Sequence, residues 1–160
     1  MDKIIIIKNI FTTDQRKKFL NDGSSYLVDW NKKTNNGYYP GKQTNPYLHL
    51  NPKFKFYYDS IIKKVSEKTK LSLKINKAWI NWTNGKKNDI AWHTHQCDIA
   101  CVYYMKTFPF FSNGTLFRDG FIKAPQNSLL IFPAHLEHTA PSSPLRFGRY
   151  TSGMDLNINR

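Results

Sequence analysis

The stretch IAWHTHQCDIACVYY, residues 90–104, decides how the rest of the chain is read. It places two of the five histidines, His93 and His95, one residue apart. It then runs into ACVYYM (100–105), an apolar segment with the character of a buried strand. Successive side chains of an extended chain alternate between faces, so residues 93 and 95 point the same way, and their imidazoles can share one metal ion. A further strand-forming run, LLIFPAHLEHTAPS (129–142), offers His135 and His138 as a third donor. Three converging histidines leave coordination positions open, which is the arrangement of a catalytic metal rather than a structural one. Imidazoles alone do not choose between Zn, Fe, Cu and Ni.

Working outward, the second half keeps the same texture. LKINKAWINW (73–82), GTLFRDG (114–120), NSLLIFP (127–133) and RYTSGMDLNI (149–158) are short strand-like runs separated by Gly, Pro, Asn and Ser. The first half differs. KIIIIKNI (3–10) reads as a short strand, and TTDQRKKFLND (12–22) as a helix with Thr12 or Thr13 at its N-cap and Gly23 just past its end. NNGYYPGKQTNPYLHLNP (35–52) is rich in Gly, Pro and Asn, hence a long loop of the kind that carries function. Apolar residues at 57, 58, 61, 62 and 65 have helical spacing, so a second helix ends near Lys70. The pattern predicts two helices buttressing an antiparallel sandwich or barrel.

A chain of 160 residues with 40% hydrophobic and 15% aromatic content is expected to form one domain with a substantial core, not a disordered segment. The four-residue isoleucine run near the start is too short for a signal peptide or a membrane span, which predicts a cytoplasmic protein without a membrane partner. Cys97 and Cys101 fit neither a disulfide framework nor a four-cysteine zinc site and are read as free thiols. The net charge of +13 raises nucleic acid as a partner. The lysines are dispersed among Asn and apolar residues, however, which is the pattern of a solvated surface.

AWINWTNGKKNDIAWHTHQCDIACVYYM (78–105), SNGTLFRDG (112–120), NSLLIFPAHLEHTAPS (127–142) and RYTSGMDLNI (149–158), in that order, resemble the core of the Fe(II)- and 2-oxoglutarate-dependent oxygenases. The similarity is to the prolyl-4-hydroxylase-like group, its small microbial and phage-type members in particular. It implies a mainly β fold with flanking α-helices around a double-stranded β-helix (jelly-roll or cupin-like) core. Helical support would occupy about 1–75 and the β core about 76–160 of a single domain.

Carried onto this sequence, the resemblance makes His93 and His138 metal ligands, with His135 as the alternative distal histidine. Arg149 would hold the far carboxylate of 2-oxoglutarate, with Arg146 as runner-up, because a guanidinium fork matches a carboxylate. Tyr104 would assist it, and Asn81 and Trp82 fall where another cosubstrate-contacting strand residue is expected. Tyr38 and Tyr39 in the loop, and Trp92, would face the substrate. One position departs from the family pattern, which has an acid where this chain has His95. Either His95 is the third ligand or Asp98 supplies a carboxylate; strand parity favours His95.

The implied cofactors are Fe(II), 2-oxoglutarate and O2. The implied reaction is hydroxylation of a C–H bond, in a prolyl or other amino-acid side chain of a protein or peptide. Two other readings stay open: a three-histidine cupin-type metal enzyme without 2-oxoglutarate, and a basic nucleic-acid-binding protein on the same scaffold.

Overall fold

Residues 3–29, 41–83, 91–107, 113–141 and 148–160 are described by a computed structural model of the chain. Strand β1 (Ile5–Lys8) leads into helix α1 (Thr13–Ser24). Thr12 caps α1 in a reciprocal box with Gln15, which satisfies two backbone N–H groups at the helix start. Gly23 lies inside this helix rather than beyond it. A β-carbon there would meet Cδ1 of Ile80 at 2.2 Å, so its role is close packing of the helix on the sheet.

The 35–52 stretch is not wholly loop. From Gly41 it forms strand β3 (Gly41–Gln43), which pairs with β2 (Val28–Asp29), and then a 3-10 turn at Leu48–Leu50. Helix α2 (Pro52–Thr69) starts with the Asn51 side chain capping the N–H of Lys53 and proline in its first turn, and ends at Lys70 in the left-handed conformation.

The remaining strands are β4 (Leu73–Thr83), β5 (Ile99–Lys106), β6 (Gly114–Phe117), β7 (Gly120–Lys123), β8 (Ser128–Pro133), β9 (His138–Thr139) and β10 (Arg149–Ile158). GTLFRDG is therefore one strand plus a tight turn, with Gly120 at φ +139° opening the return strand. The larger sheet has the order β1-β8-β5-β10-β4-β3-β2, and the smaller β7-β6-β9.

Period-two alternation divides the core. Ala78, Ile80, Tyr103, Met105, Met154 and Leu156 pack beneath the helices, against Phe19, Phe54, Tyr57, Tyr58, Ile61 and Val65. Phe19 anchors this layer, stacked on Tyr57 with ring centroids 4.3 Å apart. On the opposite face, Ala100, Tyr104, Leu130 and Phe132 meet Phe117, Ala124 and Ala134 to fill one end of the space between the sheets. The other end stays open as a cavity. Among the described residues, no helix is long and apolar enough to cross a membrane.

Candidate metal centre and cosubstrate pocket

His93 and His138 are brought together by the backbone. Each donates its N–H to the other's carbonyl, at 3.1 and 3.0 Å, which makes them a directly opposed antiparallel pair with side chains on one face. The N–H of His95 donates to the carbonyl of Ala134 at 3.0 Å, fixing the second histidine beside the same segment. One donor atom from each ring lies within 4.8 Å of the others, and Nε2 of His95 is 3.3 Å from Nε2 of His138. Phe132 packs edge-on to the His138 ring at 4.7 Å, and Trp79 stacks on that of His95 at 6.0 Å.

The other ring nitrogens are also accounted for. Nδ1 of His93 faces the carbonyl of Ala91 and Nδ1 of His138 that of Leu136, both at 2.9 Å. A carbonyl only accepts, so both rings carry their proton on Nδ1 and present the Nε2 lone pair to the shared point. Burial lowers the pKa of His93 below its ordinary value and pushes His138 down to about 4, so both are neutral near pH 7. Neutral imidazoles with converging lone pairs fit a divalent transition metal on chemical grounds.

His135 is exposed and outside this group. Asp98 is also outside it, because its carboxylate clamps the end of the chain: Oδ2 accepts from the N–H of Ile158 at 2.8 Å and Oδ1 from Arg160 at 3.1 Å. The sequence did not point to Asp155. This buried residue on β10 has Oδ1 2.8 Å from Nδ1 of His95.

The histidines border a cavity of about 570 Å³, a size that accepts small organic ligands. Its wall is the inner face of the larger sheet. Cross-strand register sets Gln43, Asn81, Thr151 and Tyr104 in one polar row over four strands. Gln43 donates to the Asn81 side-chain oxygen at 2.8 Å, and the Tyr104 hydroxyl lies 2.6 Å from Thr115 Oγ1. Arg149 closes this end, with Nη1 donating to the carbonyl of Gly114 at 3.1 Å. Burial raises the Tyr104 pKa, partly offset by the Arg149 charge, so the phenol remains a donor.

Trp82, adjacent to Asn81, faces the other way and packs on Gly148, where a β-carbon would approach its indole nitrogen to 2.5 Å; it is not a pocket residue. Trp92 lies under the Arg118 guanidinium at 4.0 Å and likewise does not line the cavity. Tyr38, Tyr39 and Arg146 lie outside the described residues. Sequence reading missed Gln43, Trp79, Thr115, Thr151 and Asp155, although strand parity with Asn81 and Arg149 was the available signal for Trp79, Thr151 and Asp155.

Solved structures of the same shape include a viral collagen prolyl hydroxylase from Paramecium bursaria Chlorella virus-1. It is 9% identical, with a TM-score of 0.68 over 98% of this chain and 90% of that one. The fold is that of the 2-oxoglutarate-dependent oxygenases. HygX from Streptomyces hygroscopicus, solved with nickel, 2-oxoglutarate and hygromycin B, is 12% identical, with a TM-score of 0.68 over 96% of this chain and 82% of that one. A Trichoplax adhaerens prolyl hydroxylase in complex with a hypoxia-inducible-factor peptide is 14% identical, with a TM-score of 0.69 over 99% and 84%. No family model matches the sequence, and no curated protein matches it. The oxygenase fold expected from the ordered motifs is thus borne out by shape, at identities too low for the motifs to register as overall sequence similarity.

Proposed function

We propose that the chain is a single-domain Fe(II)- and 2-oxoglutarate-dependent dioxygenase that hydroxylates a C–H bond, with an amino-acid side chain of a protein or peptide, prolyl in the first instance, as acceptor. The observation that carries this is the convergence of a ring nitrogen from each of three histidines on the wall of a pocket that also holds an arginine and a buried tyrosine. In this reading His93, His95 and His138 hold the metal. Arg149 and Tyr104 take the distal carboxylate of 2-oxoglutarate, the arginine through the N–H groups that Gly114 leaves free. Asn81, oriented by Gln43, lines the cosubstrate's side.

When bound, iron would supply activation of O2, coupled to decarboxylation of the cosubstrate. The balanced change is 2-oxoglutarate, O2 and R–H to succinate, CO2 and R–OH. The chain's own contribution is to orient the cosubstrate and exclude water: Phe132 and Trp79 wall the histidines, and Thr115 holds the Tyr104 hydroxyl toward the pocket.

The test is succinate formation from 2-oxoglutarate with Fe(II), with and without proline-containing peptides, with mass spectrometry of the peptides for a gained oxygen. Succinate without any gained oxygen across peptides would refute the peptide acceptor. No succinate at all would refute the oxygenase. Among the described residues the donor set holds no carboxylate, which favours one second reading, a cupin-type enzyme that does not use 2-oxoglutarate. Under that reading, adding 2-oxoglutarate to the anaerobic Fe(II) protein produces no charge-transfer band.

A further inference from the structure

We propose that Asp155 is a positioning residue for the metal centre: it fixes the proton of His95 on Nδ1 and returns, behind the ring, the negative charge that a third histidine leaves out of the ligand set. This rests on the three-histidine metal reading above.

The three rings are held unequally. His93 and His138 each turn Nδ1 to a carbonyl two residues earlier in their own segment. His95 instead turns Nδ1 to a carboxylate brought in from the sheet. Asp155 reaches it because residues 149, 151, 153 and 155 share the inner face of β10, the face that carries Arg149 at its other end. Asp155 is 5% exposed, and among the described residues no aligned hydrogen bond reaches Oδ1. Nδ1 of His95 stands 2.8 Å away, at ion-pair distance though not in hydrogen-bond alignment. Its Cα partners across the sheet are Lys77 and Ala100, and no ion pair within 4.0 Å joins it to Lys77.

A buried carboxylate oxygen without a donor is costly, so Oδ1 demands the imidazole N–H, a stronger donor than the Cys97 thiol that also meets this carboxylate; the proton is drawn there against the 3.3 Å contact between Nε2 of His95 and Nε2 of His138. A carboxylate behind a metal-bound histidine orients the ring and makes it a more basic ligand. Here it stands behind the one histidine that occupies the position of the resembled family's acid. The site would keep the family's balance of charge with the carboxylate moved from metal to ring.

The experiment uses the full chain and its Asp155→Asn and Asp155→Leu variants. Long-range proton–nitrogen correlation spectra of the metal-free proteins in alkaline buffer, with His95 assigned from a His95→Gln variant, read the tautomer directly. Co(II) affinity is measured by chelator competition. In the parent protein His95 should carry its proton on Nδ1. Asp155→Asn keeps an acceptor and should keep that tautomer, yet bind Co(II) about 10- to 100-fold more weakly. Asp155→Leu should lose the single tautomer as well.

A parent His95 protonated on Nε2, or Co(II) affinity unchanged in Asp155→Asn, would overturn the proposal. Should Asp155→Leu fail to fold, the parent and the near-isosteric Asn variant still decide it. Failure of the parent protein to bind Co(II) would refute the metal reading and with it the charge argument, whereas the tautomer is read in the metal-free protein and tests the contact by itself.

Discussion

Replacing Arg149 by alanine tests the cosubstrate pocket most sharply. Arg149 is half-buried, is tethered through Nη1 to the Gly114 carbonyl, and lines the cavity together with Tyr104, whose phenol feels its charge. Truncating one partner of a buried, hydrogen-bonded charge pair costs about 2–5 kcal/mol. The partial exposure of Arg149 places the loss near the lower end, about 2–3 kcal/mol, which is roughly 30- to 140-fold in affinity at 1.4 kcal/mol per tenfold. The KM for 2-oxoglutarate should rise by that factor in succinate assays at saturating Fe(II), with kcat changing less. Arg149→Lys keeps the charge but loses the fork and should fall between parent and alanine variant. A control isolates the cause: 2-oxobutyrate lacks the distal carboxylate, so its turnover should be weak and insensitive to the substitution. Equal losses for both keto acids, or an Arg146→Ala variant as impaired as Arg149→Ala, would refute the assignment.

His93→Ala and His138→Ala should each abolish metal binding measured by calorimetry with Co(II), whereas His135→Ala, removing an exposed ring outside the group, should leave it unchanged. Gly153→Ala should disturb the site without touching a ligand, because the new β-carbon would stand 2.5 Å from Cζ2 of Trp79 and force the indole off the His95 ring; a changed tryptophan emission together with weaker metal binding is the expected pair of signals. His49 supplies a pH test of stability. Burial lowers its pKa in the folded state and its Nδ1 has no hydrogen-bond partner among the described residues, so the unfolded chain binds the proton more readily. Its contribution is complete above the ordinary histidine value and is lost as pH falls through that value toward the folded one. Denaturant titrations of His49→Phe should show a flatter fall in stability over that window.

The parts of the site that were legible in the sequence are those set by local rules. His93 and His95 share a face because strands alternate, and the backbone pair between His93 and His138 then completes what their spacing implied. Helix α1 was marked by its N-cap threonine and α2 by its apolar spacing. What escaped depends on partners distant in the chain. Gly23 resembles a helix stop until Ile80 is seen filling the place of its side chain. Asp98 is near enough to the histidines to pass for a ligand, and only the arrival of Ile158 and Arg160 from the far end shows what it binds. The hairpin of β6 and β7 was compressed into one run because the turn residues after Phe117 were read as a strand's end.

Asn81 and Trp82 show where local reasoning could have gone further. Neighbours on a strand face opposite sides, so if one lines the pocket the other does not, and the inward set Trp79, Asn81 and Thr83 follows once either is placed. The same rule applied from Arg149 along RYTSGMDLNI reaches Thr151, Gly153 and Asp155 without a structure. Those positions carry, in order, the hydroxyl in the polar row, the gap into which the Trp79 indole fits, and the carboxylate behind His95. One strand face thus links the cosubstrate end of the cavity to the metal end. A change in the register of β10 against β4 would move all four together, and the bulge between Asp155 and Leu156 falls just beyond the last of them, where it leaves that face in phase.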